Sequence, residues 1–188
     1  YEIPRGDWSS DVCSSDLKDY GITKGKIEFD KVSFQFPNTN IPILQNLSFS
    51  IEPGETVAVL GATGAGKTSL FQLIPRLYDV TSGEIRIDGR RIKDFKLKSL
   101  REGIGYVPQE AMLFTGSIKE NLAWGKKNAT DEEMVKAASD AQIHETIEKL
   151  PDRYDTLLGQ KGVNLSGGQK QRLSIARALI KNPRILLL

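Results

Sequence analysis

The chain has 188 residues, of which 39% are hydrophobic and 27% are charged, and its formal net charge at pH 7 is +2. This composition suits one globular domain with a hydrophobic core, and the near balance of charge argues against a nucleic-acid partner. No run approaches the roughly 18 apolar residues of a membrane-spanning helix. The single cysteine, Cys13, excludes a disulfide framework and fits a reducing compartment.

The first 25 residues differ in character from the rest of the chain. Residues 7–17, Asp-Trp-Ser-Ser-Asp-Val-Cys-Ser-Ser-Asp-Leu, have neither helical nor strand periodicity. They resemble the in-frame translation of a short-read sequencing adapter, and a disordered Ser/Asp linker is the alternative. We therefore expect residues 1–25 to be a linker or an assembly artefact. The chain also lacks an initial methionine and stops within the apolar run Arg184–Leu188, which predicts a truncated protein.

Strand patterns and turns occupy the first part of the remaining chain. Ile27–Phe36 alternates apolar and polar residues, which predicts a half-buried strand, and Pro37–Asn40 forms a turn before a second strand at Ile43–Ile51. Thr56–Leu60 is a short continuous apolar run of the kind that is buried in a parallel sheet. A glycine-rich turn and an amphipathic helix at Lys67–Leu77 follow it.

The second part of the chain alternates helices with strands. Glu84–Ile92, with Asp88-Gly89 at its centre, predicts a tight hairpin, and Ile104–Val107 predicts a buried strand. The expected helices are Ile118–Leu122 capped by Ser117, Met134–Ala141 capped by Thr130 with Glu133, and a helix from Ser166 to about Lys181, followed by a strand at Arg184–Leu188. The order predicts an α/β domain with a largely parallel sheet, a preceding antiparallel β region and a helical insert at about residues 110–165.

A glycine-rich segment predicts a phosphate-binding loop. Residues 61–68, Gly-Ala-Thr-Gly-Ala-Gly-Lys-Thr, match the pattern G-x-x-x-x-G-K-[ST] between the predicted strand and helix. Glycines allow backbone N–H groups to converge on a triphosphate, Lys67 supplies a mobile ammonium, and the Thr68 hydroxyl can bind Mg²⁺. The loop indicates a nucleoside triphosphate but does not by itself identify the base or the reaction.

A second glycine-rich turn, Leu165-Ser-Gly-Gly-Gln169, lies far from the first in sequence. Ser166 is expected at the N-cap of the following helix, and Gly167 and Gly168 permit close approach of a phosphate. Such a turn alone is often only a flexible connection. In one chain with the phosphate loop, it suggests that one ATP is shared between two subunits.

The two motifs together resemble those of ABC transporter nucleotide-binding domains, and the resemblance extends from about Lys26 to Leu188. It implies a P-loop NTPase fold of the α/β class, with an ABC-type core, an antiparallel β subdomain and an α-helical insert. It also implies that ATP and Mg²⁺ bind, and that two such domains pack head to tail. The predicted organisation is therefore a linker at residues 1–25 and an ABC ATP-binding domain, truncated at its C-terminus, at residues 26–188.

The resemblance also implies roles for individual residues. Gln109 corresponds to a glutamine near Mg²⁺ and the attacking water, and Phe36 corresponds to an aromatic residue, often tyrosine, that stacks on adenine. Lys67 and Gln109 are the implied catalytic residues, and Thr68 and Gln109 are the implied magnesium ligands. The implied nucleotide-binding residues are Phe36, Gly61, Ala62, Thr63, Gly64, Ala65, Gly66, Lys67, Thr68, Ser69, Gln109, Ser166, Gly167, Gly168 and Gln169.

One further loop favours an exporter. Thr156–Gly162 resembles a loop that contacts the membrane domain in exporters, although Gln160 stands where the family commonly has glutamate. The resemblance thus implies a motor domain at the cytoplasmic face of the cell membrane, within an integral membrane protein. Its implied partners are a second nucleotide-binding domain and a transmembrane domain fused upstream.

Three alternatives remain open at the level of sequence. They are an importer ATPase subunit, a DNA-repair or chromosome-type ATPase, and an ATP-binding module without turnover. The family's magnesium-binding Asp and catalytic Glu would follow Leu188. We therefore expect the parent protein to be an ATPase and the 188 residues alone to hydrolyse ATP little.

Overall fold

The computed structural model describes residues 19–37, 39, 41–159 and 165–188. Residues 1–18 of the predicted linker and residues 160–162 of the predicted exporter loop lie outside these ranges. The chain divides into two compact units, the first ending at Leu100 and the second beginning at Arg101. The domain bounds expected from the sequence stay predictions.

The first unit contains a four-stranded antiparallel sheet in the order β2-β1-β3-β4. Its strands are β1 (Ile27–Phe34), β2 (Leu44–Ile51), β3 (Ser82–Ile87) and β4 (Arg90–Arg91). Alternation along β1 buries Ile27 and Phe29, and a register shift after Phe29 allows Val32 and Phe34 to be buried too. The predicted antiparallel region and the β3–β4 hairpin are therefore confirmed.

The helix that follows the glycine-rich loop, α1 (Lys67–Leu73), is shorter than the predicted Lys67–Leu77. Pro75 has no N–H to donate to the helical ladder, and Arg76 adopts a left-handed φ of 52°. The chain then returns to the sheet at β3. A short 3₁₀ turn at Ile92–Asp94 and the helix α2 (Leu97–Glu102) follow the hairpin.

The prediction of a buried strand at Thr56–Leu60 is wrong for the described structure. The segment has no strand assignment, and Val57 and Leu60 are 45% and 91% exposed. A strand requires a neighbour that pairs with its N–H and C=O groups, and none of the strands in the described ranges pairs with this segment. The apolar run therefore has strand character in sequence without a sheet to join.

The β3–β4 turn holds the segment that leads into the sheet. Asp88, at a left-handed φ of 52°, accepts hydrogen bonds from the backbone N–H groups of Thr23, Lys24, Gly25 and Lys26 at 2.8–3.0 Å, and from the Thr23 hydroxyl at 3.0 Å. Partial burial raises the pKa of Asp88, but the donors outweigh it and hold that pKa below its ordinary value of 3.8. One carboxylate thus anchors four consecutive residues.

The second unit is mainly helical. Its helices are α3 (Ile118–Ala123), α4 (Asp131–Asp140), α5 (His144–Glu148) and α6 (Gly167–Leu179), with a 3₁₀ turn at Arg153–Asp155. Its strands are β5 (Ile104–Tyr106), β6 (Gly116–Ser117), β7 (Leu157–Leu158) and β8 (Ile185–Leu187). β5 pairs with β8 in parallel, and β6 pairs with β7 antiparallel. The core of this unit includes Ile118, Leu122, Ala138, Ile147 and Leu173, which are all fully or almost fully buried.

The predicted helix caps are confirmed in this unit. Ser117, Thr130 and Ser166 each accept a hydrogen bond from the backbone N–H three residues on, and the side chain of that third residue bonds back to the cap's N–H. Capping boxes of this kind satisfy two otherwise unpaired N–H groups at each helix start. Among the described residues, no helix combines the length and the apolarity needed to cross a membrane.

Candidate nucleotide-binding site

The glycine-rich loop of the first unit turns at two glycines before it enters α1. Gly64 and Gly66 adopt φ angles of 82° and 85°, which side chains with a Cβ disfavour. Gly66 is the N-cap of α1, and no side chain caps that helix. The first N–H groups of α1 therefore remain available to an acceptor other than a capping side chain.

Lys67 lies over the same loop. Its ammonium donates hydrogen bonds to the carbonyl oxygens of Gly61 and Ala62, both at 2.7 Å. The neighbouring Thr68 is exposed in the first turn of α1, while Ser69 is buried. A cation and a hydroxyl thus stand beside the uncapped start of α1, and this combination suits a triphosphate with Mg²⁺.

The phosphate loop packs tightly against the start of β2. A Cβ added at Gly66 would lie 2.9 Å from side-chain atoms of both Ile43 and Leu44. The N–H of Ile43 in turn donates to the carbonyl of Phe34 at 2.8 Å. The end of β1 and the phosphate loop are therefore linked through Ile43.

Phe36 lies beside a cavity of about 310 Å³ at this end of β1. The cavity is lined by Phe34, Gln35, Phe36, Pro37, Tyr78, Asp79 and Thr81. Its volume is at the lower end of the usual range for small-molecule sites. The half-buried Phe36 supplies one aromatic wall, and Tyr78, which the sequence did not single out, supplies another.

The second glycine-rich turn begins α6 in the second unit. Ser166 Oγ accepts from the Gln169 N–H at 3.3 Å, and Gln169 Oε1 accepts from the Ser166 N–H at 2.8 Å. Gly167 and Gly168 are exposed, and a Cβ at either would meet nothing within 4 Å. Their backbone is accessible from outside the unit.

Gln109 follows β5 in the second unit and is exposed. The strand before it is fixed by the pairing of β5 with β8, which continues where the Val107 N–H donates to the Leu187 carbonyl at 2.9 Å. Within the described ranges, no group of three or more His, Cys, Asp or Glu residues could hold a metal ion. The predicted magnesium ligands are the Thr68 hydroxyl and the Gln109 amide oxygen, which are not among these four residue types. They remain predictions.

The predicted site residues therefore fall into two sets. The phosphate loop and Phe36 lie in the first unit and share the Ile43 link, whereas Gln109 and the Ser166 turn lie in the second unit. Within the second unit, α6 contacts β5 and also packs against α3 and α4. The turn and the strand that leads to Gln109 are thus parts of one packed body.

Sequence reasoning missed an exposed apolar surface in the second unit, formed by Met112, Phe114 and Trp124, which we call the aromatic patch. These side chains are 64%, 44% and 69% exposed, and the two rings lie 5.0 Å apart. Arg177 of α6 supports the patch, because its Nη2 donates to the Met112 carbonyl at 2.8 Å and its guanidinium lies 5.5 Å from the Phe114 ring centroid. Burial lowers the pKa of Arg177.

A second cavity, of about 380 Å³, was also not foreseen from the sequence. It includes Met134, Tyr154 and the ion pairs Lys119–Asp131 (2.6 Å) and Arg153–Glu148 (3.5 Å). Burial, and then the charge of Glu148, raises the pKa of Tyr154 to about 12, and its hydroxyl lies 2.9 Å from His144 Nδ1. His144, the first residue of α5, is therefore held by a side-chain contact to Tyr154.

The sequence was compared with models of known protein families, and one family matches the part of the chain that contains the loop, the capped turn and the helical unit. The family model described as ABC transporter matches residues 44–188. The chain belongs to the ABC transporter family and corresponds to its ATP-binding domain.

Named relatives agree with this assignment. The chain is 63% identical over 164 residues to the uncharacterized ABC transporter ATP-binding protein YfiB of Bacillus subtilis, and this match covers 87% of the chain and 29% of the relative. It is 55% identical over 167 residues to a putative multidrug export ATP-binding/permease protein of Staphylococcus aureus, covering 89% and 29%. The chain thus spans under a third of the length of these relatives.

A solved structure is also similar. A bacterial Atm1-family ABC exporter with ATP bound superposes with a TM-score of 0.84 at 42% identity, covering 89% of this chain and 29% of the other. Fold and sequence therefore point to the same family.

Proposed function

We propose that this chain is the ATP-binding and ATP-hydrolysing motor domain of an exporter. The observation that carries the proposal is the phosphate loop, in which two glycines with left-handed backbone lead into an uncapped helix beside Lys67. Family membership and relatives named for export favour this function over an importer or a DNA-repair ATPase.

The phosphate loop would grip the triphosphate of ATP. Backbone N–H groups between Gly61 and Thr68 would surround the phosphates, and the Lys67 ammonium would exchange its two carbonyl partners for phosphate oxygens. Phe36 would stack on adenine at the cavity beside β1. Mg²⁺ held by Thr68 and Gln109 would, when bound, screen the phosphate charge.

Hydrolysis would require groups that act on the γ-phosphate and on the attacking water. Lys67 would stabilise charge on the transferred phosphoryl group, and Gln109 would orient the attacking water. Ser166, Gly167, Gly168 and Gln169 would bind the γ-phosphate held by a second, head-to-tail copy of the domain. The exposed backbone of both glycines supports this, because another molecule can reach it. ATP binding would then favour the closed pair, and hydrolysis would release it.

The aromatic patch would receive the membrane domain. It follows Gln109 in sequence, and Arg177 links it to α6, the helix that begins at the Ser166 turn. A contiguous exposed apolar surface of this kind commonly marks a protein interface. A membrane domain fused in the same polypeptide, as the ATP-binding/permease names of relatives describe for those proteins, would place this unit at the cytoplasmic face of the membrane.

Two variants of the full-length protein in lipid vesicles test this function. Lys67→Ala should weaken ATP binding at least about tenfold and abolish hydrolysis, because a charge-assisted contact to phosphate is lost. Trp124→Ser should leave ATP binding within about twofold but lower ATP-driven transport of a reporter dye. Normal ATP binding by Lys67→Ala would refute the proposal. ATP-driven movement of the dye towards the side that carries the ATP-binding domain, in place of movement away from it, would favour the importer.

A further inference from the structure

We propose that Tyr78 is a positioning residue for the nucleobase, which holds the Phe36 ring in the orientation that stacks on the base. The inference rests on the proposed function, because it concerns the base end of the same site. It adds a second aromatic residue to a subsite for which sequence comparison indicated only Phe36.

Three aromatic rings form a contiguous cluster at the cavity. The Phe36 ring is nearly perpendicular to both of its neighbours, with a centroid separation of 5.0 Å and an angle of 77° to Phe34, and 5.2 Å and 82° to Tyr78. Phe34 and Tyr78 also contact each other at 5.7 Å. Edge-to-face contacts at these distances are attractive and restrict ring rotation. Neither neighbour stacks parallel to Phe36, and the Phe36 side chain lines the cavity in which a planar base would lie.

Phe36 depends on such support because of its place in the chain. β1 ends at Phe34, and Phe36 opens a turn in which its carbonyl accepts from the Thr39 N–H at 3.2 Å and from the Thr39 hydroxyl at 2.9 Å. The turn fixes the backbone of Phe36 but not its ring. The ring contacts with Phe34 and Tyr78 supply that restraint, and only Phe34 is part of the strand.

Tyr78 itself is held by the residues around it. Arg76 forms a two-pronged pair with Asp79, with Nε–Oδ1 at 2.7 Å and Nη2–Oδ2 at 3.3 Å. Thr81 ties the same loop to the end of β1, because its N–H donates to the Ser33 carbonyl at 2.9 Å and its hydroxyl accepts from the Gln35 N–H at 3.1 Å. The loop therefore presents Tyr78 to Phe36 from fixed points on both sides.

The cavity also lies close to the phosphate loop. Gly66 approaches Ile43, and the Ile43 N–H donates to Phe34, which lines the cavity. Along the chain, the seven residues of α1, about 10 Å of helix, separate the phosphate loop from the loop that carries Tyr78. Both connections lie within the first unit.

Nucleotide binding by the purified full-length protein tests the role of Tyr78. Tyr78→Ala should weaken ATP binding and raise KM about three- to tenfold with kcat unchanged, because a ring restraint that favours the bound state is lost. Binding of inorganic tripolyphosphate, which has no base, should not change. Tyr78→Phe should behave as the parent. Tyr20→Ala is the matched control, because Tyr20 contacts Phe95 and Arg90 in the same unit but does not line the cavity.

A double-mutant cycle distinguishes positioning from a separate contact. In a Phe36→Ala background, Tyr78→Ala should have no further effect on ATP binding, because Tyr78 acts through Phe36. Additive losses, equal losses of ATP and tripolyphosphate binding, or no loss with Tyr78→Ala would each overturn the inference. If the parent protein bound neither ATP nor tripolyphosphate, the proposed function itself would fail. If the parent protein bound both ligands and Tyr78→Ala bound ATP equally well, only the role of Tyr78 would be refuted.

Discussion

The two glycine-rich turns of this chain both begin a helix, but they do so by opposite means. At the phosphate loop, the N-cap Gly66 is left-handed, with φ 85°, and no side chain caps α1. At the second turn, the N-cap Ser166 is extended, with φ −64° and ψ 161°, and a complete capping box with Gln169 satisfies the start of α6. The first turn leaves the first N–H groups of α1 without a side-chain acceptor, whereas the second satisfies its own helix start and leaves its glycine backbone exposed.

The Asp88 turn is a third place in this chain where backbone N–H groups need an acceptor, and it can be compared with the two glycine-rich turns. There, consecutive backbone N–H groups from Thr23 to Lys26 converge on a carboxylate that the chain supplies itself. The arrangement is chemically that of an anion cradle with its anion in place. It shows that four backbone donors, together with the Thr23 hydroxyl, can hold a negative charge in this protein.

The largest expected effect is at the phosphate loop. Gly66→Ala should lower the free energy of unfolding by about 3 kcal/mol, because the left-handed backbone and the contacts of the new methyl group with Ile43 and Leu44 both disfavour it. Chemical denaturation followed by circular dichroism measures the change. The control Gly64→Ala has a similar φ but open space around the Cβ, so about 1 kcal/mol is expected. Equal effects of the two substitutions would show that close packing does not explain Gly66.

An intermediate effect is expected at the Asp88 turn. Asp88→Asn should lower the free energy of unfolding by about 2 kcal/mol at pH 7, because backbone donors lose a charged acceptor. The pKa of Asp88 is depressed in the folded state, so its stabilisation is present above 3.8 and is lost as pH falls through the lower folded value. The difference between parent and variant should therefore disappear in acid.

A matched carboxylate provides the control for this titration. Asp30 is exposed on β1 of the same sheet, and Asp30→Asn should change stability by no more than about 0.5 kcal/mol. An Asp88→Asn deficit that persisted unchanged below pH 3 would contradict the origin assigned to it.

The smallest expected effect is at the second turn. Ser166→Ala should cost about 1 kcal/mol, because α6 loses its N-cap, and Ser166→Asn should restore that stability. Hydrogen exchange at the first turn of α6 reports the local change. If Ser166→Asn restored the helix but not ATP-dependent pairing of two copies, the serine would have a role beyond capping; full recovery of both would limit it to the cap.

The parts of the structure that the sequence predicted are those with local causes. The caps at Ser117, Thr130 and Ser166 form within four residues, so residue type and spacing were sufficient to predict them. The glycine-rich turn before α1 was predicted for the same reason, whereas its phosphate-binding role stays a prediction. Thr56–Leu60 was not, because strand pairing depends on a neighbour that the segment's own residues do not specify.

The rest of the site depends on distant contacts. Tyr78 reaches Phe36 only because α1 ends at Leu73, before Pro75, and the loop returns to β1; no periodicity signals that return. The aromatic patch likewise depends on Arg177, which reaches the Met112 carbonyl from a helix far along the chain. Trp124, directly after the short capped helix α3, was the one sequence feature that could have indicated this exposed patch. A buried Trp124 side chain was an equally reasonable interpretation of the sequence.

We propose that one ATP is held by the phosphate loop of one copy and by the Ser166 turn of another. Cysteines introduced as Ala62→Cys and Ser166→Cys in otherwise cysteine-free full-length protein test this by oxidative cross-linking. A covalent link between two copies should form with ATP and Mg²⁺ and should be lost when Lys67→Ala is added. A link that forms equally well without nucleotide, or no link between copies when ATP is bound, would contradict it.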